Sequence, residues 1–208
     1  MLKKDNHIIE SNFLSEGIKC AGTLYLPQKT DAKPGVIILG HGFAAERAFC
    51  LPEFAQRFSD AGYAAYIFDY RCFGDSEGEP RNWVSPKRHL ADWRAVVKHV
   101  QALSEIDPGK LIIWGSSLGG GHVLKIASET PTISAVISQQ PHVDGLALVL
   151  SKSPSDLVIA VAAGIRDLIS SFVFGKPYYS KVAGRLGEFA AEPGVTYWND
   201  ANDWFLCH

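Results

Sequence analysis

The sequence predicts an α/β protein in which helices flank a mostly parallel β-sheet with an antiparallel start. Three observations lead to this fold class. Short segments rich in β-formers alternate with amphipathic helical segments, and short connections join them. Several strand segments are continuously apolar, as strands buried on both faces of a parallel sheet are. A sharp turn at residues 115–119, with the sequence GSSLG, joins one such strand directly to a helix.

The elements follow in chain order. Residues 8–27 predict two strands joined by a turn at Glu16 and Gly17, because residues 18–26 alternate loosely between apolar and polar. Apolar runs and helical periodicity predict the remaining elements, which are strands at 36–39, 64–70, 111–114 and 133–138 and helices at 52–61, 89–104, 118–130 and 156–174. Residues 176–208 are aromatic, polar and irregular, and predict no further strand–helix pair.

We predict a single domain with a core over residues 1–145 and an incomplete lid- or cap-like segment over residues 146–208. A chain of 208 residues is long enough for one sizeable core. Under this interpretation the helix at 156–174 covers an apolar substrate pocket. Ordinary core packing of the same helix is the alternative.

Composition excludes several classes of protein. The net charge is −2 and Lys and Arg form no cluster, which argues against a nucleic-acid partner. Polar residues 5–7 stand where a signal peptide would have its apolar run, and the longest apolar run, 157–165, is too short to span a bilayer. The four cysteines show no C-x-x-C pairing, so we expect reduced thiols, a cytoplasmic location, and neither a zinc site nor a disulfide framework. We expect no cofactor and no metal.

Ser117 stands at the apex of the turn between the strand at 111–114 and the helix at 118–130. A residue at such an apex has a strained backbone, and its neighbours must be glycine because a Cβ would collide with it. The turn exposes the serine hydroxyl and directs the first N–H groups of the new helix towards the atom that it attacks. The pattern therefore indicates a nucleophilic serine.

Three motifs, in this order, carry a family resemblance. Residues 39–43 (LGHGF) follow a strand, residues 69–78 (DYRCFGDSEG) follow the next, and residues 115–119 complete the set. Together they resemble the α/β-hydrolase family, in its branch of bacterial esterases and peptidase-like serine hydrolases, over roughly residues 18–145. Cys72 departs from the pattern, since the family usually has glycine there, and this puts the local turn in doubt.

The resemblance implies a role for several residues. Ser117 would be the nucleophile that attacks an ester, thioester or amide carbonyl, and the N–H groups of Phe43 and Leu118 would form the oxyanion hole. His41 would brace its loop and would not act as a base. Asp69 and Arg71 would form an ion pair that braces the second loop.

The general base and the acid are not identified by the sequence. The family places them in the order Ser, acid, His, after strands that we do not find before the chain stops. Asp144 and His208 are weak candidates in that order, and His142 is a further one. His122, five residues beyond Ser117, is expected to pack or to be solvated. A hydrolase truncated at its C-terminus, ending within the lid and leaving an open sheet edge, is the simplest interpretation.

A competing motif is residues 40–45 (GHGFAA), which fit a permissive dinucleotide-binding fingerprint, with Asp69 as the ribose-binding acid. That fingerprint needs a helix that opens directly on the glycines, and here residues 46–51 intervene. Residues 119–121 lack the Lys-Ser/Thr of a phosphate-binding loop.

Two hypotheses on function and one on assembly remain. The chain is a serine hydrolase acting on a small-molecule carboxylic ester or thioester, or it is a non-catalytic hydrolase-like remnant or fragment that serves as a binding module. A second chain that completes the sheet through its open edge is the third possibility.

Overall fold

The computed structural model describes residues 7–28, 32–145, 147, 153–175, 181–184 and 190–193. The chain divides into two compact units, of which the first contains the described residues up to Val143 and the second those from Asp144 onward. The first unit has eight strands and three helices among its described residues: β1 (His7–Glu10), β2 (Phe13–Ser15), β3 (Ile18–Cys20), β4 (Gly22–Leu26), β5 (Val36–Gly40), α1 (Leu51–Asp60), β6 (Ala64–Phe68), α2 (Pro86–Gln101), β7 (Leu111–Ser116), α3 (Leu118–Glu129) and β8 (Ile133–Gln139).

A six-stranded sheet in the order β1-β4-β6-β5-β7-β8 forms the centre of the first unit. β4 pairs antiparallel with both β1 and β6, whereas β6, β5, β7 and β8 run parallel. Every residue of β5 and of β6 is buried, as their continuous apolar sequences predict. The predicted fold class, a mostly parallel sheet with an antiparallel start, is therefore confirmed.

The N-terminal segment differs from its prediction. It forms four strands instead of two, because β2 and β3 pair with each other in a separate hairpin and only β1 and β4 join the main sheet. The predicted turn is correct, since Glu16 (φ 49°) and Gly17 (φ 82°) both adopt the left-handed conformation that a tight two-residue hairpin turn requires.

The core lies on both faces of the sheet. Alternate residues of β5 point to opposite faces, so Val36 and Ile38 join one buried cluster and Ile37 and Leu39 join the other. The first cluster contains the apolar side of α2, where Trp93 is fully buried, and the second contains the residues of α1. The three motifs follow the carboxyl ends of β5, β6 and β7, whose residues contribute to these two clusters.

The cysteines depart in part from the expectation of four reduced thiols. Cys20 and Cys72 are free and buried. Cys50, directly before α1, is disulfide-bonded. The predicted absence of disulfide bonds is therefore wrong at this residue.

The second unit contains a 21-residue helix, α4 (Pro154–Phe174), and two short strands, β9 (Lys181–Gly184) and β10 (Ala190–Pro193), that pair parallel to each other. The prediction of an irregular segment is wrong at these strands. The stretch Leu157–Phe174 has a mean hydropathy of 1.9 and is long and apolar enough to cross a membrane by length and composition alone. This contradicts the argument that the apolar run is too short, although Arg166 and Asp167 lie within the stretch. The lid assignment and the absence of a membrane span stay predictions.

Candidate active site

Ser117 lies at a strained turn between β7 and α3. Its backbone angles are φ 53° and ψ −119°, which are rare for a residue with a side chain, and the residue is exposed. The neighbouring glycines make this turn possible. A Cβ on Gly115 would lie 2.3 Å from the carbonyl oxygen of Gly119, and a Cβ on Gly119 would lie 2.5 Å from that of His41. The turn predicted from the sequence therefore exposes its serine as expected.

The backbone of Ser117 is hydrogen-bonded to the end of β8 and to the turn that follows it. The Ser117 N–H donates to the carbonyl of Gln139 at 3.0 Å. The Ser117 carbonyl accepts from the N–H of His142 at 2.9 Å and from that of Gly121 at 3.1 Å. Three backbone hydrogen bonds thus fix the orientation of the serine.

Two N–H groups near Ser117, those of Phe43 and Leu118, are the candidates for an oxyanion hole. Leu118 is the first residue of α3, where a helix leaves its N–H groups without an intrahelical acceptor. Phe43 lies in the loop after β5, and a Cβ on Gly42 in this loop would be 3.2 Å from the Cβ of Ser117. Neither the Phe43 nor the Leu118 N–H donates a hydrogen bond to another described residue. Both amides remain available to an oxygen bound beside Ser117.

His41 is buried behind the same loop. Its Nδ1–H donates to the Gly42 carbonyl at 3.1 Å, its ring meets Tyr70 edge to face, and its Nε2 lies 4.0 Å from Oδ1 of Asp69. Burial lowers the pKa of His41 to about 4, so the ring is neutral at pH 7. These contacts match the bracing role that the resemblance implies for His41.

A buried histidine–tyrosine cluster lies among β6, α2 and α3, and sequence reasoning missed it. The ring of His89 stacks on Tyr70 at 4.2 Å, and Nε2 of His122 lies 3.4 Å from Nδ1 of His89. Trp93 donates from Nε1 to the Tyr70 hydroxyl at 2.8 Å. Burial lowers the pKa of His89 to about 3 and that of His122 to about 4. His122 therefore packs in the interior, and no described side chain hydrogen-bonds the Ser117 hydroxyl.

The predicted ion pair between Asp69 and Arg71 is wrong. Asp69 pairs with Arg47, whose Nε lies 3.1 Å from Oδ2. Arg71 instead pairs with buried Asp92 at 2.6 Å and with Glu16 at 2.5 Å. Asp69 and Arg71 therefore pair with different partners and brace separate parts of the structure around the second loop.

Cys72 occupies the family's glycine position with a left-handed backbone, at φ 72°. The turn nevertheless closes, because the Cys72 N–H donates to the carbonyl of Glu77 at 2.9 Å and its carbonyl accepts from Asn82 at 2.7 Å. The side chain is buried, and its Sγ would lie 3.0 Å from a Cβ on Gly78. The departure from glycine thus adds local backbone strain and leaves the turn intact.

The candidates for base and acid are not brought together by the described residues. Asp144 belongs to the second unit, where its Oδ1 accepts a hydrogen bond from the N–H of Ala147 at 2.9 Å. His142 contributes its backbone N–H to Ser117 and is half-buried. His208 lies outside the described residues.

The structure does not have the geometry that a dinucleotide-binding site requires at residues 40–45. α1 begins only at Leu51, well beyond Gly42, so no helix N-terminus opens on the glycines. Asp69 is buried and already paired with Arg47. Within the described ranges, no group of three or more His, Cys, Asp or Glu side chains could hold a metal ion.

Comparison with known proteins identifies the family. The model of the serine aminopeptidase S33 family matches residues 31–174, more than half of the chain. The chain belongs to this family of α/β hydrolases. The matched range contains all three motifs and the elements that position Ser117.

Named relatives agree with this assignment. The quorum-quenching protein AidA of Acinetobacter baumannii is 38% identical over 182 residues, which are 88% of this chain and 60% of AidA. The thiohydrolase aneE of Aspergillus aculeatus is 31% identical over 69% of this chain and 45% of its own length. The structure of DcsB in complex with its substrate analogue superposes with a TM-score of 0.71 at 27% identity, over 83% of this chain and 56% of DcsB. The chain thus spans about half the length of the relatives that it matches.

Proposed function

We propose that the protein is a serine hydrolase that cleaves a carboxylic ester or thioester through an acyl-enzyme on Ser117. The observation that carries the proposal is the strained, exposed backbone of Ser117, at φ 53° and ψ −119°, next to two N–H groups without an acceptor. A protein retains such strain where the surrounding structure imposes it, and here three glycines and three hydrogen bonds do so. The similarity to a thiohydrolase supports including thioesters among the substrates.

The proposed reaction has two halves. The Ser117 oxygen forms a bond to the carbonyl carbon and loses its proton to a base, and the carbonyl oxygen becomes an oxyanion that the Phe43 and Leu118 N–H groups stabilise. The tetrahedral intermediate expels the alcohol or thiol, which takes up the proton, and leaves an acyl ester on Ser117. Water then attacks that ester, releases the carboxylic acid and restores the serine. Asp144 and His208 stay our candidates for acid and base.

A fluorophosphonate probe tests the proposal directly, because it forms a covalent adduct only with an activated serine. We expect mass spectrometry to place the adduct on Ser117, and we expect turnover of p-nitrophenyl acetate to fall by at least about 100-fold in Ser117→Ala. Ser104→Ala is the matched control, since Ser104 is exposed and hydrogen-bonded only locally, to Glu105. Folded protein that neither reacts with the probe nor loses turnover in Ser117→Ala would refute the proposal.

The second candidate function is a non-catalytic binding module. It is favoured by one observation: no described side chain hydrogen-bonds the Ser117 hydroxyl, and the nearby histidines are buried and neutral at pH 7. Turnover by the wild type above the Ser117→Ala background would exclude this alternative. The background must be measured, because an oxyanion hole alone retains modest catalysis.

A further inference from the structure

Arg47 and Asp69 connect the loop after β5 to the loop after β6. Asp69 is 1% exposed, and its Oδ1 accepts a hydrogen bond from the Arg47 N–H at 2.7 Å. Its Oδ2 accepts from the N–H of Asp75 at 3.2 Å and lies 3.1 Å from Nε of Arg47. One buried carboxylate therefore holds both loops.

The guanidinium of Arg47 also contacts two strands, β1 and β4, and the loop after β6. Nη2 lies 2.9 Å from Asp75, Nη1 lies 3.5 Å from Glu10 at the end of β1, and Nη1 also donates to the Thr23 hydroxyl in β4. The Arg47 side chain is only 12% exposed, whereas Glu10 and Asp75 are largely exposed. Arg47 is thus held on several sides, and among the acidic residues that it contacts Asp69 is buried.

The loop after β5, residues 41–49, has few other restraints. Among the described residues, only two backbone hydrogen bonds outside regular structure involve residues 41–49, and both are at Phe49: its N–H donates to the Glu46 carbonyl, and its carbonyl accepts from Leu51. Ala44, next to Phe43, has a left-handed backbone at φ 51°. A loop with a strained residue and so few backbone bonds depends on its side-chain anchors. Those anchors are His41 on one side of Phe43 and Arg47 on the other.

The position of this loop sets the geometry of the oxyanion hole. Gly42 packs against Ser117 closely enough that an added Cβ would lie 3.1 Å from the Ser116 carbonyl oxygen. Oxyanion stabilisation requires donors within a few tenths of an ångström of about 2.9 Å from the developing charge. A small shift of the loop therefore moves the Phe43 N–H out of range while Ser117 stays in place.

We infer that Arg47 and Asp69 are positioning residues that hold the Phe43 N–H in its oxyanion-binding position. The inference rests on the proposed function, since it assigns these residues to the same site. Arg47 acts through Asp69 and the loop backbone and does not touch the substrate. The inference predicts a loss in the rate of the chemical step with little change in substrate binding.

The test combines NMR spectroscopy with kinetics on three variants of the whole chain. Protein labelled with ¹⁵N-phenylalanine gives one amide signal for each of the 11 phenylalanines, and Phe43→Leu identifies the signal of Phe43. In Arg47→Met we expect the Phe43 signal to shift or broaden, and we expect kcat for p-nitrophenyl acetate to fall about 10- to 100-fold with KM within about threefold of wild type. Arg47→Lys keeps the positive charge but lacks the planar guanidinium. It should give an intermediate change in the Phe43 signal and an intermediate kcat.

Arg94→Met is the matched control, because Arg94 also forms an ion pair, with Glu129 at 2.7 Å, but on the half-exposed surface of α2. It should leave the Phe43 signal and kcat unchanged. An unchanged Phe43 signal in Arg47→Met overturns the inference, whatever the kinetics show. If Arg47→Met does not fold, Arg47→Lys decides by the same criterion. A shifted Phe43 signal in a protein whose turnover does not depend on Ser117 supports the positioning and refutes the proposed function.

Discussion

The N-terminal end of α3 and the middle of α4 are both apolar helical segments that contain glycine, yet their surroundings are opposite. A Cβ on Gly119 or Gly121 of α3 would lie within 2.5 Å of a backbone oxygen, whereas Gly164 of α4 has no atom within 4 Å of that position. Side chains of α3 such as His122 are buried, while those of α4 are largely exposed, with Phe172 at 94%. Crowding at its buried positions restricts which side chains α3 can accept there. In α4, the same kind of composition is compatible with a lid, a core helix or a membrane span.

Lowering the pH should have the largest effect on the free energy of unfolding, because it favours protonation of the histidines that are buried in the interior beside α3. The pKa values of His41, His89 and His122 are about 4, 3 and 4 in the folded protein. The unfolded value is about 6.5, so the unfolded state binds protons first as the pH falls, and stability is lost between about pH 6.5 and pH 3. At pH 5 each histidine should cost about 2 kcal/mol. Asp69, whose pKa burial raises to about 6, acts in the opposite direction and offsets about 1 kcal/mol.

We therefore expect the free energy of unfolding to be about 5 kcal/mol lower at pH 5 than at pH 8. Urea denaturation at several pH values measures it. His89→Phe keeps a ring to stack on Tyr70 and should remove about 2 kcal/mol of this dependence. A free energy that is constant to within about 1 kcal/mol between pH 8 and pH 5 would show that these histidines are not buried as described.

Substitution of Gly119 in α3, compared with Gly164 in α4, should have the next largest effect on the free energy of unfolding. Gly119→Ala places a methyl group 2.5 Å from the His41 carbonyl oxygen, and should lower the free energy of unfolding by about 3 kcal/mol and reduce labelling of Ser117. In Gly164→Ala the added methyl group projects into open space on a helix, and the substitution should raise the free energy of unfolding by up to about 1 kcal/mol. Thermal and urea unfolding of both variants compare them. Equal effects of the two substitutions would contradict the contrast between α3 and α4.

A matched pair of phenylalanines should give the smallest effect. Phe68 is fully buried between Tyr70 and Trp93, and Phe68→Leu should cost about 1 to 2 kcal/mol. Phe172→Leu should change the free energy of unfolding by less than about 0.5 kcal/mol, because Phe172 is exposed. Urea denaturation distinguishes the two outcomes. A cost at Phe172 as large as that at Phe68 would mean that α4 packs against a partner surface.

Much of the first unit could be predicted from the sequence because its signals are local. The strands β5, β6 and β7 and the helices α1 to α3 agree with their predicted positions to within three residues. The turn at Ser117 was also predictable, since a glycine on each side of a serine between a strand and a helix reflects a backbone that allows no other residue. The four N-terminal strands were not, because alternation shows that a segment is extended and does not show which strand it pairs with.

The side-chain partners could not be predicted because they are distant in sequence. Arg47 and Asp69 are brought together only by the fold, and Arg71, two residues after Asp69, was the wrong partner. One signal for the histidine cluster was present: His89 lies four residues before Trp93 on the apolar side of α2, and His122 lies four residues before Ile126. A histidine in a buried helical stripe indicates packing rather than catalysis. The sequence pattern alone could not show that two such stripes meet.

The hydrogen bonds that join Ser117 to the end of β8 couple the backbone of this residue mechanically to that strand. Gln139 is the last residue of β8, and its carbonyl accepts the Ser117 N–H, while His142 just beyond it holds the Ser117 carbonyl. β8 is the last strand in the order of the described sheet. A force that slides or twists this strand is therefore transmitted to the backbone of Ser117 through two hydrogen bonds, without passing through the core.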